Sequence, residues 1–205
     1  MAAYLMRENE DGALETAIQI IQSGGIVAFP TDTVYGIGAN AFDPAGIAKL
    51  YSVKNRDAGK PIAILLADVS QLSLVCSSIP DYATRLGEKF WPGALTLVLP
   101  RAPSVPEVLS PIPTIGIRIP DHVFARSLIR WCGPMAVTSA NISGQQSATS
   151  AEEILEQLGD QVDLIIDGGR SKGGIPSTVV DCTGDVIKVL RSGMISADQI
   201  RNAIC

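Results

Sequence analysis

Two separated segments of the chain carry polar side chains whose types and spacing suit a phosphate-bearing ligand. Lys54 and Arg56 flank one asparagine, and Lys60 follows in the same segment. Far downstream, Ser139 and Asn141 flank one alanine. Arginine makes forked contacts with phosphate, and lysine supplies a point charge. Together the segments predict a cradle for a triphosphate, although neither matches the glycine-rich loops of P-loop or dinucleotide-binding proteins.

The residues around Lys54 and Arg56 favour an extended turn. Side chains two positions apart diverge on a helix, whereas on an extended chain they point the same way. Gly59 and Pro61 disfavour a helix at this point. We therefore predict that both cations face one ligand, and the ordinary alternative is a solvated basic loop.

Two further polar segments each follow a buried strand. Residues 30–36 contain Thr31, Asp32, Thr33 and Tyr35, and residues 138–144 contain two serines and Asn141. Loops at strand ends are where open α/β sheets bind ligands. Turn formation or capping would explain each segment equally well in isolation.

Strand alternation singles out Arg118. In residues 115–119 the three isoleucines share one face of a strand, while Gly116 and Arg118 share the other. We therefore predict that Arg118 stands alone on its face, beside a glycine that leaves room for a ligand. An exposed strand arginine is the alternative.

Helical and strand patterns alternate along the whole chain. Asn9 or Asp11 is predicted to cap a first helix with an apolar face at Ala13, Leu14, Ala17, Ile18 and Ile21. Further helices are predicted to begin at Pro44, over 80–90, 122–131 and 151–158, and after Ser196. Strands are predicted over 26–29, 62–66, 94–99, 115–119, 135–138, 164–167, 178–182 and 186–190. This order predicts a single α/β domain, residues 1–205, with one mixed parallel and antiparallel sheet flanked by helices.

Composition excludes several classes of protein. A formal charge of -5 and an aromatic content of 5% argue against a protein that coats nucleic acid. A single histidine, His122, excludes a multi-histidine metal site, and we expect it to begin a helix. Cys76, Cys132, Cys182 and Cys205 form no CxxC pair, so we expect buried free thiols.

The amino-terminal residues point to the cytoplasm. They turn acidic at once and lack both an apolar signal region and an arginine-rich presequence. No apolar run approaches the roughly 20 residues that a membrane-spanning helix needs. We expect a cytoplasmic protein with no membrane association.

Eight ordered motifs resemble the YrdC/TsaC family, the threonylcarbamoyl-AMP synthases, in its short single-domain form. The resemblance runs over about residues 24–193. The matching motifs are FPTDTVYGIGANA (29–41), KNR (54–56) with KP (60–61), WPGALTLVLP (91–100), IGIRIPDH (115–122), TSANISG (138–144) with Ser147, STVVD (177–181) and LRSG (190–193). The chain departs from some longer relatives, which carry a histidine where Leu65 stands and have an additional carboxy-terminal domain.

The resemblance implies a twisted α/β domain with a concave basic cavity. It also implies that L-threonine, bicarbonate or CO2, and ATP with Mg2+ become threonylcarbamoyl-AMP and pyrophosphate. A separate enzyme complex would use that product to modify tRNA. Lys54 and Arg56 are implied as catalytic residues. The implied ATP contacts are Lys54, Arg56, Lys60, Thr114, Ser139, Asn141, Ser147 and Arg191, and the implied threonine contacts are Thr33, Arg118, Val137 and Ser177; no protein metal ligand is implied, since Mg2+ would travel on the phosphates.

This chemistry suits the residue types. A neutral threonine amine captures CO2 to give a carbamate, whose oxygen attacks the α-phosphorus and expels pyrophosphate. Two anions must meet, so charge neutralisation and positioning should matter more than a general base. Two alternatives are an RNA-binding module without catalysis and a module that adenylates a carbamoyl group from carbamoyl phosphate, as in hydrogenase maturation.

Overall fold

In the computed structural model, which describes residues 4–204 without the side chain of Asp160, ten strands form one mixed sheet. The strand order is β1-β8-β2-β3-β7-β4-β6-β5-β9-β10. The strands are β1 Tyr4–Arg7, β2 Val27–Phe29, β3 Gly36–Asn40, β4 Ala63–Leu65, β5 Leu95–Pro100, β6 Thr114–Arg118, β7 Met135–Ser139, β8 Leu164–Asp167, β9 Thr178–Asp181 and β10 Lys188–Arg191. Parallel pairs such as β4–β6 alternate with antiparallel pairs such as β5–β6. The predicted α/β class is confirmed.

Helices flank this sheet. They are α1 Ala13–Gln22, α2 Pro44–Val53, α3 Leu72–Val75, α4 Asp81–Phe90, α5 Val123–Cys132, α6 Ala151–Leu158 and α7 Ala197–Asn202. The predicted starts at Pro44 and after Ser196 are confirmed: Asp43 accepts a hydrogen bond from Ala45 N, and Ser196 forms a capping box with Gln199. His122 is the N-cap residue of α5, as predicted.

The cap of α1, strands β1 and β3 and the four-residue helix α3 were predicted wrongly or not at all. Gly12, in the left-handed region at φ 81°, precedes α1, and no side chain caps the helix, so neither Asn9 nor Asp11 does. Strands β1 and β3 were not predicted. β3 has two glycines among its five residues, and a glycine-rich segment carries little strand signal.

The glycines of β3 leave room for the Val137 side chain of the neighbouring strand β7. A Cβ at Gly36 would lie 2.7 Å from a Val137 methyl group, and one at Gly38 would lie 2.9 Å from the other. β3 pairs with β7 through the whole stretch from Gly36 to Asn40. A larger residue at either position would force the Val137 side chain, which lines the cavity, to move.

The two faces of the central sheet differ in what covers them. Ile64, Leu97 and Ile117 lie on one face and belong to the main apolar core. On the other face, α1 and α5 pack together over the end of the sheet near β2 and β8, where they share a second apolar cluster. The remainder of that second face lines a cavity.

Cysteine burial is close to the prediction. Cys76 and Cys182 are buried free thiols, and burial raises the pKa of each to about 12. Cys132 is a free thiol but only half-buried, at the carboxy-terminal end of α5, so full burial was wrong there. Cys205 lies outside the described residues. Within residues 4–204, no helix combines the length and the apolarity that crossing a bilayer requires.

Tyr35 ties the segment before β3 to the loop after β8. Its hydroxyl donates to Gly169 O at 2.7 Å and accepts from Gly168 N at 3.0 Å, and its side chain is fully buried. Burial raises the pKa of Tyr35 to about 12, so the hydroxyl keeps its proton. Among the described residues, this hydroxyl is the hydrogen-bond partner of both backbone groups.

Tyr35→Phe should lower the free energy of unfolding by about 1–3 kcal/mol, because two part-buried hydrogen bonds, each worth about 0.5–1.5 kcal/mol, are lost. Urea unfolding should show a lower midpoint at an unchanged slope. Tyr4→Phe, on a tyrosine that is 63% exposed, is the matched control and should leave the midpoint unchanged. Equal midpoints for the two variants would contradict this account.

Candidate functional site

A cavity of about 320 Å³ lies on the second face of the sheet. Its floor consists of alternate residues from neighbouring strands, as the two-residue repeat of a strand requires. The floor residues are Gly36 of β3, Ala63 and Leu65 of β4, Thr96 and Val98 of β5, Gly116 and Arg118 of β6, Val137 and Ser139 of β7, Val179 of β9 and Arg191 of β10. Loop residues including Thr31, Thr33, Arg56, Ser147 and Ser177 complete the walls.

The charged residues among those that line the cavity are Arg56, Arg118 and Arg191. A carboxylate, that of Asp32, contacts one of them from outside the lining. Three guanidinium groups against one carboxylate leave an excess of two positive charges around the cavity. Such a surface attracts anions, and partial burial strengthens that attraction.

Arg118 is buried and has three protein partners. Its Nε donates to Gly93 O at 2.9 Å, its Nη1 donates to Thr33 Oγ1 at 2.8 Å, and its Nη2 forms an ion pair with Asp32. Burial lowers the pKa of Arg118, and Asp32 opposes that effect. The prediction that Arg118 faces the cavity beside Gly116 is confirmed, but the prediction that it stands alone was wrong, because the loop after β2 folds back over β6.

The interactions of Arg118 leave part of its guanidinium available. Arginine has five N–H groups, and the three bonds above use three of them. The other two have no acceptor among the described residues, so a ligand carboxylate could take them. Asp32 fixes the orientation in which they are presented.

Arg191 and two hydroxyls form a second polar group on the cavity wall. Arg191 donates from Nε and Nη2 to Ser177 O at 3.1 and 2.9 Å, and from Nη2 to Ser177 Oγ at 3.1 Å. Ser177 Oγ also lies 2.7 Å from Thr96 Oγ1. Burial lowers the pKa of Arg191. The structure thus places Arg191, a predicted nucleotide contact, directly on Ser177, a predicted threonine contact.

Lys54 and Arg56 do not point the same way, so the predicted extended turn was wrong. Lys54 is the C-cap residue of α2, and Asn55 adopts a left-handed conformation with φ 48°. This turn separates the two side chains. Arg56 lines the cavity and donates to Lys60 O and Pro61 O, whereas Lys54 lies outside the lining and is 1% exposed.

The buried amine of Lys54 contacts the segment that follows β7. Its Nζ donates to the carbonyl oxygens of Ser139 and Asn141 and lies 3.5 Å from Asn141 Oδ1. Burial, and to a smaller extent the positive charge of Arg56, lowers the pKa of Lys54 to about 7. The two separated segments therefore meet, as predicted, but through a lysine and backbone oxygens.

The cavity lining includes eight of the twelve predicted site residues. They are Thr33, Arg56, Arg118, Val137, Ser139, Ser147, Ser177 and Arg191. Lys54 and Asn141 lie behind the lining, Lys60 is exposed, and Thr114 is half-buried at the start of β6. His122 does not line the cavity, and its Nε2 lies 3.6 Å from Glu8 Oε2.

Sequence reasoning missed two residues of the site. Asp32 was noted only as one polar residue of its segment, although it orients Arg118. Thr96 is the polar residue in an otherwise apolar stretch, Leu95 to Leu99, and its hydroxyl contacts Ser177. That interruption of the apolar pattern was a signal for Thr96, whereas nothing local in the sequence links Asp32 to Arg118.

Comparison with known proteins places this arrangement in a family. The model of the Sua5/YciO/YrdC family, described as "Telomere recombination", matches residues 19–193. A protein of Bacillus subtilis named threonylcarbamoyl-AMP synthase is 42% identical over 99% of this chain and 55% of its own length. A putative threonylcarbamoyl-AMP synthase of Mycobacterium tuberculosis is 41% identical over 96% of this chain and 91% of its own length.

A solved structure gives the same result. The crystal structure of Pyrococcus abyssi Sua5 in complex with L-threonine superposes with a TM-score of 0.95, at 39% identity, over 100% of this chain and 61% of that chain. The chain thus spans somewhat more than half the length of the Bacillus and Pyrococcus proteins. The family match, the identities and the superposition agree, and the chain belongs to the Sua5/YciO/YrdC family.

Proposed function

We propose that this protein is a threonylcarbamoyl-AMP synthase. It condenses L-threonine, bicarbonate or CO2, and ATP to threonylcarbamoyl-AMP with release of pyrophosphate. The product would then serve other enzymes that modify tRNA. Two of the relatives reported above carry this name or its putative form, and another relative binds L-threonine.

The observation that carries the proposal is a single cavity with an anion-binding group at each end. In the sheet register, Arg118 of β6 pairs with Leu65 of β4, and Leu65 pairs with Met135 of β7. Ser139 lies four residues further along β7, about 13 Å away in the strand direction. Arg56 lines the same cavity. An amino acid carboxylate at Arg118 and a phosphate chain near Arg56 and Ser139 would fit this span.

We assign the threonine end to Arg118 and its neighbours. The two remaining N–H groups of Arg118 would bind the substrate carboxylate. The hydroxyls of Thr33 and Ser177 would receive the polar groups of threonine, and the side chain of Val137 would meet its methyl group. Burial makes each polar contact stronger than it would be in water.

We assign the nucleotide end to Arg56, Ser139 and Ser147. Arg56 is anchored by the backbone carbonyls of Lys60 and Pro61, and its three other N–H groups have no acceptor among the described residues. An arginine oriented in this way suits forked contacts with phosphate oxygens. Contacts from Lys60, Thr114 and Asn141 stay predictions, since these residues lie outside the lining.

The reaction needs two anions to come together. Threonine gives up a proton from its ammonium group to water, and the neutral amine adds to CO2 and loses a second proton. The resulting carbamate oxygen attacks the α-phosphorus of ATP, and pyrophosphate leaves. The excess positive charge of the cavity lowers the repulsion between carbamate and phosphate, and the fixed arginines need little reorganisation. Holding both reactants in one cavity supplies the proximity.

We expect Mg2+ to enter with ATP. The cavity offers guanidinium groups and hydroxyls, and magnesium at nucleotide sites takes most of its ligands from phosphates and water. Among the described residues no group of three or more His, Cys, Asp or Glu side chains could hold a metal ion. Bound in this way, Mg2+ would neutralise the phosphate chain.

Purified protein with ATP and Mg2+ should release pyrophosphate only when both L-threonine and bicarbonate are present. Mass spectrometry should detect the mixed anhydride of threonyl carbamate and AMP, with serine as a competing substrate. An equal rate without threonine would contradict the proposal. RNA binding that falls with added salt, without any pyrophosphate release, would favour the RNA-binding alternative instead.

Arg118→Lys should raise the KM for threonine by about 10-fold to 100-fold, because the protein contacts with Gly93, Thr33 and Asp32 would use all three donors of an ammonium and leave none for the carboxylate. The KM for ATP should change by less than about threefold. Arg126→Lys is the matched control, since Arg126 lies on α5 outside the cavity lining and donates a hydrogen bond to Ala67 O. Equal threonine KM values in the two variants would remove the role proposed for Arg118.

Arg56→Gln should raise the KM for ATP and lower the turnover number, together by about 10-fold to 100-fold in kcat/KM for ATP. The cause is the loss of a charged, anchored fork facing the phosphates. Arg130→Gln, on an exposed arginine of α5, is the control. Steady-state kinetics at saturating threonine would detect the difference, and unchanged ATP kinetics would contradict the assignment.

A further inference from the structure

We propose that Lys54 is a positioning residue: its amine holds residues 139–145 through backbone oxygens and so places Ser139 in the cavity wall, without touching the ligand. This inference rests on the proposed function in one respect, that the ligand near Ser139 is a nucleotide. It differs from the expectation that Lys54 contacts phosphate.

The contacts of Lys54 commit its amine to protein oxygens. Its Nζ donates to Ser139 O and Asn141 O and lies 3.5 Å from Asn141 Oδ1. A lysine ammonium has three donor positions and no acceptor. Three oxygens surround them here, so no donor is left for a phosphate.

The backbone of Lys54 holds the same segment. Ser143 N donates to Lys54 O at 2.9 Å. Asn141 then closes the segment on itself, because its Nδ2 donates to Ile142 O at 2.7 Å and to Gln145 O at 2.9 Å. Lys54 therefore fixes both the beginning and the middle of residues 139–145, and Asn141 fixes their internal shape.

Without the amine, the segment would lose a donor at two carbonyls. Ser139 O would keep the bond from Asn141 N at 3.0 Å, whereas the buried Asn141 would have no other donor to its carbonyl oxygen among the described residues. Leaving buried acceptors without donors is costly, so the segment would move to reach water. Ser139, whose residue lines the cavity, would move with it.

Selective acylation of the unmodified protein tests whether Lys54 is open to the cavity. Because its pKa is lowered to about 7, the amine of Lys54 loses its proton more readily than that of an exposed lysine and would react faster if reagents could reach it. We expect Lys54 to react with an acetylating ester at least tenfold more slowly than the exposed Lys49, with or without ATP. Fast modification that ATP prevents would overturn the proposal.

Hydrogen exchange of the ligand-free protein tests the positioning itself. Lys54→Met keeps the length of the side chain but removes the amine, and peptides covering 139–147 should exchange at least tenfold faster. Lys49→Met is the matched control, because Lys49 lies on the same helix and donates to Gly24 O at 2.8 Å. Unchanged exchange in this segment would overturn the proposal, whether or not the protein binds nucleotide.

A ligand series separates positioning from phosphate contact. The loss of affinity in Lys54→Met should be similar, within about threefold, for AMP, ADP and ATP, because a displaced Ser139 affects each of them. A direct contact with the phosphate chain would make the loss grow with each added phosphate, and that result would overturn the proposal. If the unmodified protein binds none of these nucleotides, the proposed function fails, while acylation and exchange still decide the role of Lys54.

Discussion

The site depends on a sheet that is wider than the helices covering its second face. α1 and α5 occupy only one end of that face, and the strands beyond them are left without a helical cover. Because side chains alternate along every strand, the uncovered face receives one residue in two from several neighbouring strands. Those positions carry Gly116, Thr96, Ser139 and Arg118 instead of the isoleucines and leucines that face the core.

Loops convert this open face into a cavity with fixed charges. Each arginine of the lining is held by protein oxygens before any ligand arrives: Arg56 by two backbone carbonyls, Arg118 by Asp32, Thr33 and Gly93, and Arg191 by Ser177. Arginines held in this way lose little further conformational entropy on binding. The cavity is thus preorganised for two negatively charged partners.

Buried charge has a different role at Lys54. This lysine lies 1% exposed between α2 and the segment after β7, where it joins the two parts of the chain that the sequence marked as a pair. Its partners are backbone carbonyl oxygens, and its donors are used to hold the segment after β7. Lys54 thus holds a loop in place, whereas Lys60, six residues later, is exposed to solvent.

Local patterns in the sequence were enough for most elements and for the set of residues around the cavity. Apolar periodicity located α5, α6 and eight of the strands within a few residues, and alternation placed Arg118 on the correct face. Strand β3 was not predicted, because the Val137 side chain that covers its glycines comes from another strand. The cap of α1 was predicted wrongly, because the local turn places Gly12 before the helix in place of a capping side chain. Only the folded structure could show that Asp32 contacts Arg118, 86 positions away, and that Lys54 contacts Ser139, 85 positions away. The direction of Lys54 also depends on one residue, Asn55, whose left-handed conformation separates the side chains of Lys54 and Arg56.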